Sequence, residues 1–343
     1  MRGLVCLGML ALTGQAHAQD RALDTVEISA ASVRDDHFPQ VAADYPDGIV
    51  ARPHVEFANY LGFRPLQLDL YLHADRSRTK PRPLILWVHG GGWSRGDARG
   101  SGAFTDFPAV LAMVAARGYV VASVDYRLSG EARFPAQIQD VKAAIRYLRS
   151  KAGDYGIDPE RVVLWGGSAG GHLAALAATT CGVADFDPPA STGRLGRSAA
   201  QGAKPLAVSD CVQGAALWYG VYDLAAHGKV GQRGSALGNV APFLGCDVAA
   251  CQDKAEAASP IHHIGAQTPS ILLIHGTADD EVAYQQTEEM ATALKAAGRP
   301  VDVLLIPEMG HGLIGRTAAA TRAANLQALQ RTLDFFAKIT ARR

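Results

Sequence analysis

The sequence predicts an α/β fold: a mostly parallel, doubly wound sheet with helices on both faces and loop or lid insertions. Short apolar runs alternate with segments of helical period, the pattern of consecutive β–α–β units. Several of the runs are apolar throughout, as strands covered on both faces are. Residues able to do chemistry recur just after these runs, at the carboxyl ends of strands, where open α/β sheets bind ligands.

In chain order, residues 1–18 read as an export signal. Arg2 is a short positive n-region, residues 4–12 are an apolar segment too short to span a bilayer, and Ala16-His17-Ala18 is an A-x-A cleavage site. The expected location is secreted or periplasmic. Residues 19–50 carry scattered charge without a sustained period and read as a surface arm, and residues 51–343 read as one domain. Residues 66–72 (LQLDLYL) alternate apolar and polar side chains, a half-buried strand. Residues 83–88 (PLILWV) are a fully buried strand, and 104–117 a helix stopped by Gly118. Strands follow at 119–124, 161–165, 212–218, 270–274 and 301–306. Helices are expected at 138–148, 168–179, 284–297 and 319–339. Residues 182–210 and 224–264 break the alternation with Gly, Ala, Ser, Pro and Asn. They read as insertions above a sheet edge, where a lid or substrate wall would sit.

Composition narrows the function. Of 343 residues, 48% are apolar, enough for a core, so the chain is not a disordered tail. Lys plus Arg equals Asp plus Glu, 33 against 33, which leaves no electrostatic footprint for nucleic acid. No apolar run approaches the length of a membrane span.

Four motifs carry the chemistry. Gly166-Gly167-Ser168-Ala169-Gly170-Gly171 holds G-x-S-x-G between a strand and a helix, the setting of a nucleophile elbow. His89-Gly90-Gly91-Gly92-Trp93 follows the strand at 83–88. Backbone N–H groups of Gly91, Gly92 and Ala169 are the expected oxyanion hole. His275-Gly276-Thr277-Ala278-Asp279-Asp280 follows the strand at 270–274 and offers Asp279 as the acid, with Asp280 and Glu281 as rivals. His311, between Gly310 and Gly312, completes the order Ser, Asp, His.

Trp93, Tyr126, Trp218 and Tyr219 lie at or just after strand ends and are candidates for a substrate pocket, core or rim packing being the alternative. His172 is expected to support the elbow, and His262-His263 to lie on the lid surface. Cys6 lies inside the export signal. Cys181, Cys211, Cys246 and Cys251 remain, an even number that suits disulfides in an exported chain. They allow three connectivities, of which Cys181–Cys211 with Cys246–Cys251 is favoured because each pair flanks a loop-like segment. A zinc site is the competitor, but no C-x-x-C or nearby histidine spacing accompanies these cysteines. No metal and no cofactor is expected.

The combination resembles the alpha/beta-hydrolase superfamily, in its HGGGW esterase/lipase branch, close to the bacterial bifunctional feruloyl and acetylxylan esterases. The resemblance covers about residues 50–343. It extends to Gly96-Asp97, Asp125-Tyr126-Arg127-Leu128, Phe134-Pro135 with Asp140, residues 155–159 (YGIDP) and residues 258–261 (ASPI). It departs at Val282-Ala283, where such enzymes often carry Val-Pro, and in the long insertion at 182–210. The resemblance implies an exported serine carboxylic ester hydrolase acting through an acyl-enzyme. Its substrate would be acetyl or feruloyl esters of plant polysaccharide, or similar small esters. Amide-cleaving relatives share the fold and triad. Export counts against an arylformamidase, and the lack of repeated strand blocks against a propeller-bearing exopeptidase. A non-catalytic hydrolase fold would be free to lose its nucleophile, acid or histidine, and all three are present.

Overall fold

The computed structural model describes residues 42–60, 62–75, 80–191, 208–226 and 235–341. The expected export signal and most of the expected arm lie outside the described residues. The arm's last residues are strand instead: Ala43–Tyr45 (β1) pairs antiparallel with Ile49–Ala58 (β2), and Ile49 is buried. Sequence period missed β2 because its register shifts between Arg52 and Val55, where His54 takes a positive φ of 57°. Such a bulge breaks the two-residue alternation that marks a strand.

The remaining strands are Leu66–His73 (β3), Arg82–Val88 (β4), Val120–Val124 (β5), Ile157–Gly167 (β6), Gly214–Trp218 (β7), Ser270–Gly276 (β8) and Val301–Ile306 (β9). Their order across the sheet is β1-β2-β3-β5-β4-β6-β7-β8-β9. β5, β4, β6, β7, β8 and β9 run parallel, and β1 to β3 add an antiparallel flank. From β4 the chain moves to one side for β5 and then to the other for β6. That reversal opens a crevice at the carboxyl ends of these strands.

Two apolar layers cover the sheet. Leu84, Leu86 and Val88 of β4 face one layer, built with helices Ala136–Ser150 (α2) and Ala169–Thr179 (α4). Ile85 and Trp87 face the other, where Phe107–Ala116 (α1) and Ala318–Thr340 (α8) pack. Both faces being filled is why these strands read as continuous apolar runs. The α1/α8 layer is aromatic: Trp87 lies 4.7 Å from both Phe107 and Trp165, and Trp165 lies 5.3 Å from Trp218. α1 starts where Asp106 accepts the Ala109 N–H at 3.1 Å, and its end at Ala116 is followed by Gly118, whose φ of +99° suits glycine best.

β3 is not the half-buried strand its alternation predicts. Leu66, Leu68, Leu70 and Leu72 fill one face, but Asp69 and Tyr71 on the other are buried too. Asp69 accepts the His54 N–H at 2.9 Å and pairs with Arg99 at 2.8 Å, so its burial is compensated.

The two insertions differ. In the second, Ser235–Leu244 (α5) and Gln252–Ala257 (α6) are helical, and Phe243 is buried against Trp93 and Phe134. The first lies partly outside the described residues. Its described ends dock on α2 through Asp187 and Asp210, both bound to Arg146, and the rest of the expected lid or substrate wall lies outside the described residues. The structure joins Cys181 to Cys211 and Cys246 to Cys251, the favoured pairing. Asp210, next to the first disulfide, is committed to Lys142 and Arg146. Ala152–Tyr155 (α3) and Gln285–Ala296 (α7) complete the helices among the described residues. None of the helices is long and apolar enough to cross a membrane.

Candidate active site

β6 delivers Ser168. The strand ends at Gly167, Ser168 turns sharply with φ 55° and ψ −124°, and α4 begins at Ala169. A non-glycine residue in this region stores roughly 1–3 kcal/mol of strain, held by its surroundings. The doubled glycines are required by close approach: a Cβ on Gly170 would lie 2.0 Å from the Val88 carbonyl oxygen. Ser168 Oγ does not cap α4, and its N–H is held by the Trp218 carbonyl at 2.9 Å. The hydroxyl faces His311, whose Nε2 lies 2.9 Å away.

His311 sits on the loop after β9. Its Nδ1 lies 2.8 Å from Asp279 Oδ2, so a proton on Nδ1 leaves Nε2 as an acceptor for the Ser168 hydroxyl. Of the three candidate acids only Asp279 makes this bond. Asp280 is exposed, and Glu281 stands at the pocket rim. The buried Asp279 carboxylate also accepts the N–H groups of Glu281 at 3.0 Å and Val282 at 2.9 Å. Burial pushes its pKa up, but the hydrogen bonds from His275 and His311 and the charge His311 can carry outweigh that and hold it below the ordinary carboxylate range. Burial likewise pushes His311 down. The Asp279 bond and charge, helped by Glu281 and Asp280, reverse this, so His311 sits above its ordinary value.

The relay opens into a cavity of about 310 Å³ walled by Gly90, Gly91, Gly92, Gly96, Gly100 and Gly102. Gly91 and Gly92 adopt φ of 110° and 59° beside Ser168, and Ala169 is the first residue of α4. The opening N–H groups of a helix have no partner within it, so Ala169 belongs to the set that can face an anion. The glycine loop is held by His89, whose Nδ1 bonds the Gly90 carbonyl oxygen at 2.7 Å. Burial pushes His89 down to about 4, so it is neutral.

Three of the four aromatic residues expected at the substrate pocket are elsewhere. Trp93 is buried behind the glycine loop, stacked on Phe243 at 4.6 Å, with its indole N–H donating to His172 Nδ1 at 3.1 Å. Tyr126 is buried with its ring on His89 at 4.3 Å, its O–H donating to the His89 carbonyl at 3.0 Å. Trp218 belongs to the α1/α8 layer and donates to the Thr332 hydroxyl at 2.9 Å. Each polar tip finds a partner inside, which removes the cost of burying it. Tyr219 does line the pocket, its ring edge-on to His311 at 5.0 Å.

His172 supports the elbow region, bridging Trp93 to the Ala258 carbonyl oxygen at 2.7 Å. Of the expected lid pair, His262 is exposed. His263 is half-buried, with Nε2 2.8 Å from the Ala257 carbonyl oxygen. Sequence reasoning missed Arg95, Ser101 and Asn239, which line the pocket from loops and α5 with no motif to mark them. It also missed His275, though His275 stands in the same motif as Asp279.

Comparison with known proteins finds matches among esterases. The model of the family described as BD-FAE matches residues 68–294. Esterase LipQ of Mycobacterium tuberculosis is 31% identical over 288 residues, covering 82% of this chain and 61% of its own. The chain thus spans about three fifths of the length of that relative, and 56% of the probable carboxylic ester hydrolase LipM. Among solved structures, a truncated form of a carbohydrate esterase from gut microbiota superposes with a TM-score of 0.69 and 29% identity. That match covers 87% of this chain and 99% of the other. Thermogutta terrifontis esterase 2, phosphonylated by sarin, gives a TM-score of 0.67 and 27% identity over 84% of this chain and 96% of its own.

Proposed function

The chain belongs to the BD-FAE family, and from that premise we propose that it is a serine carboxylic ester hydrolase working through an acyl-enzyme. The observation that carries this reading is the relay from Ser168 Oγ to His311 at 2.9 Å and on to Asp279 at 2.8 Å, opening on a glycine-walled cavity. His311 Nε2 takes the Ser168 proton as Oγ attacks the ester carbonyl. Asp279 holds the Nδ1–H tautomer and stabilises the imidazolium. The N–H groups of Gly91, Gly92 and Ala169 receive the developing oxyanion, and losing one such donor costs about 3–4 kcal/mol in the barrier. His311 then protonates the departing alcohol, and water, activated the same way, releases the acid.

The substrates are small polar esters, with acetyl or feruloyl esters of plant polysaccharide as the first choice. Support comes from the pocket lining, where Arg95, Ser101, Asn239 and Tyr219 offer polar groups on glycine walls. Similarity to a carbohydrate esterase also supports it. Secretion or periplasmic location belongs to the same proposal, supported by the signal-like residues 1–18 and two disulfides. The test is product release from acetylated xylan and methyl ferulate, with p-nitrophenyl acetate alongside. Release of acetate or ferulate is the expected result. Turnover of p-nitrophenyl acetate alone would keep the serine hydrolase and overturn the plant-polysaccharide substrate.

The pH profile follows from the relay. His311 must be neutral to accept the Ser168 proton, and its pKa lies above the ordinary 6.5. The acid limb of kcat/KM is therefore expected to have its midpoint above 6.5, falling tenfold per pH unit below it. The stability linkage has the opposite sense. A raised histidine stabilises the fold below its unfolded value, and this contribution is lost as pH rises through the folded one. A rate profile from about pH 5 to 9 checks the limb, and a midpoint below the ordinary histidine value would contradict it.

A further inference from the structure

His275 is buried completely at the end of β8 and touches the acid of the relay. Its Nε2 lies 3.2 Å from Asp279 Oδ2 and 3.0 Å from the Val282 carbonyl oxygen. Its Nδ1 lies 2.7 Å from Thr287 Oγ1 on α7, and Thr287 is fully buried as well. Both neighbours of Nε2 are acceptors, so Nε2 carries the ring proton. Nδ1 is then the acceptor, and the Thr287 hydroxyl donates to it. Asp279 Oδ2 thereby receives two imidazole N–H groups, from His275 and from His311, while Oδ1 receives two backbone N–H groups.

We propose that His275 is a positioning residue for catalysis. Its tautomer is set by the two acceptors at Nε2, its Nδ1 is held by Thr287, and it fixes the Asp279 carboxylate so that one Oδ2 lone pair faces His311. Two effects follow. The carboxylate cannot rotate about its own side-chain torsion, because both oxygens are held from the protein side. The second donor on Oδ2 also withdraws electron density, so Asp279 stays ionised and does not pull the Nδ1 proton fully from His311. Thr287, His275, Asp279, His311 and Ser168 then form one hydrogen-bonded chain running from α7 through β8 to the elbow. Nothing in sequence spacing distinguishes His275 from an ordinary buried histidine. Its orientation toward the acid does.

This inference rests on the serine-hydrolase reading, so its test includes a measurement that needs no turnover. The variants are His275→Leu, which removes the donor, and His275→Gln, whose amide nitrogen occupies the same topological place as Nε2. Thr287→Val removes the group that holds Nδ1. With p-nitrophenyl acetate, His275→Leu is expected to lower kcat about 10–100-fold with little change in KM, the cost of a misplaced catalytic group. His275→Gln should recover most of the loss, and Thr287→Val should show a smaller one. The acid limb in His275→Leu should move up by about half to one pH unit, because an Asp279 with one donor fewer is more basic toward His311. The other charged groups facing His311 are Asp280 and Glu281 on the acid loop and Arg95 across the pocket, and none of the variants alters them. Proton NMR of the low-field Nδ1–H shared by His311 and Asp279 reads the same change without substrate. In His275→Leu the signal should shift and its titration midpoint rise.

If the NMR signal and midpoint match those of the unaltered protein while activity falls only with the folded fraction, His275 is a packing residue and the proposal is overturned. If the unaltered protein turns over no ester yet the NMR change appears, the positioning contact stands and the esterase reading fails.

Discussion

Replacing Ser168 by alanine is expected to lower kcat by about 10⁵–10⁶-fold, the loss seen when the nucleophile of such a relay is removed. The substitution keeps Cβ, so the elbow's φ of 55° is no more strained than before, and the Ser168 N–H bond to Trp218 is backbone only. The hydroxyl's recorded partner is His311 at 2.9 Å, an interaction made for chemistry rather than packing. Melting temperature should therefore stay within about 1–2 °C of the unaltered protein, since no buried partner is stranded. Residual turnover would come from the glycine wall and binding alone. Reaction with an organophosphonate offers an independent reading: the unaltered chain should gain one phosphonyl group by mass, and Ser168→Ala none. Retained esterase activity in Ser168→Ala would place the nucleophile elsewhere.

The second large effect is on stability. Asp210 lies at the end of the first insertion with a side chain 1% exposed. It pairs with Lys142 at 3.4 Å and Arg146 at 2.8 Å, and accepts the Gly182 N–H at 3.1 Å. Lys142 is itself fully buried, with Nζ 2.5 Å from the Thr180 carbonyl oxygen. Removing Asp210 strips buried Lys142 of its carboxylate partner and leaves Arg146 with Asp187 alone. Breaking a buried pair in this way costs about 3–5 kcal/mol. For a chain of this size, Asp210→Ala should lower the melting temperature by about 6–15 °C. Asp210→Asn, which keeps volume and loses charge, should fall between. Burial alone would raise the Asp210 pKa, but Lys142, the Gly182 N–H and Arg146 bring it below its ordinary 3.8. A depressed carboxylate stabilises the fold above its unfolded value, and that contribution is lost as pH falls through the folded one. The difference in melting temperature between Asp210→Ala and the unaltered protein should accordingly narrow in acid. Equal melting temperatures at neutral pH would mean that Lys142 reaches water and the network carries no stability. None of the insertion's described residues lines the cavity at Ser168, so activity per folded molecule should barely change.

These two sites differ in how readable they are. The elbow announces itself locally. Gly170 must be glycine because a side chain would meet the Val88 carbonyl, and Ser168 must bend because strand and helix leave no longer turn. Lys142, on α2, looks like any exposed helical lysine in sequence. Its burial depends on an aspartate 64 positions beyond Arg146 being brought back over the helix by a loop. β2 was unreadable for another reason, since its bulge at His54 interrupts the alternation on which strand recognition depends.

By itself the sequence determined the parallel α/β layering, the elbow, the glycine loop and the order of nucleophile, acid and histidine. Each of these is written in local period or in residues that only one backbone path accepts. Tertiary structure removed the rivals Asp280 and Glu281 by showing that Asp279, the acid the sequence favoured, meets His311. It decided that Trp93, Tyr126 and Trp218 turn inward while Tyr219 lines the pocket, and that His275 shares Asp279 with His311. The reason is directional. Composition and spacing say which groups stand at a strand's end. The direction in which each side chain leaves the backbone depends on loop paths and partners from distant segments, and hydrogen bonds form only along that direction.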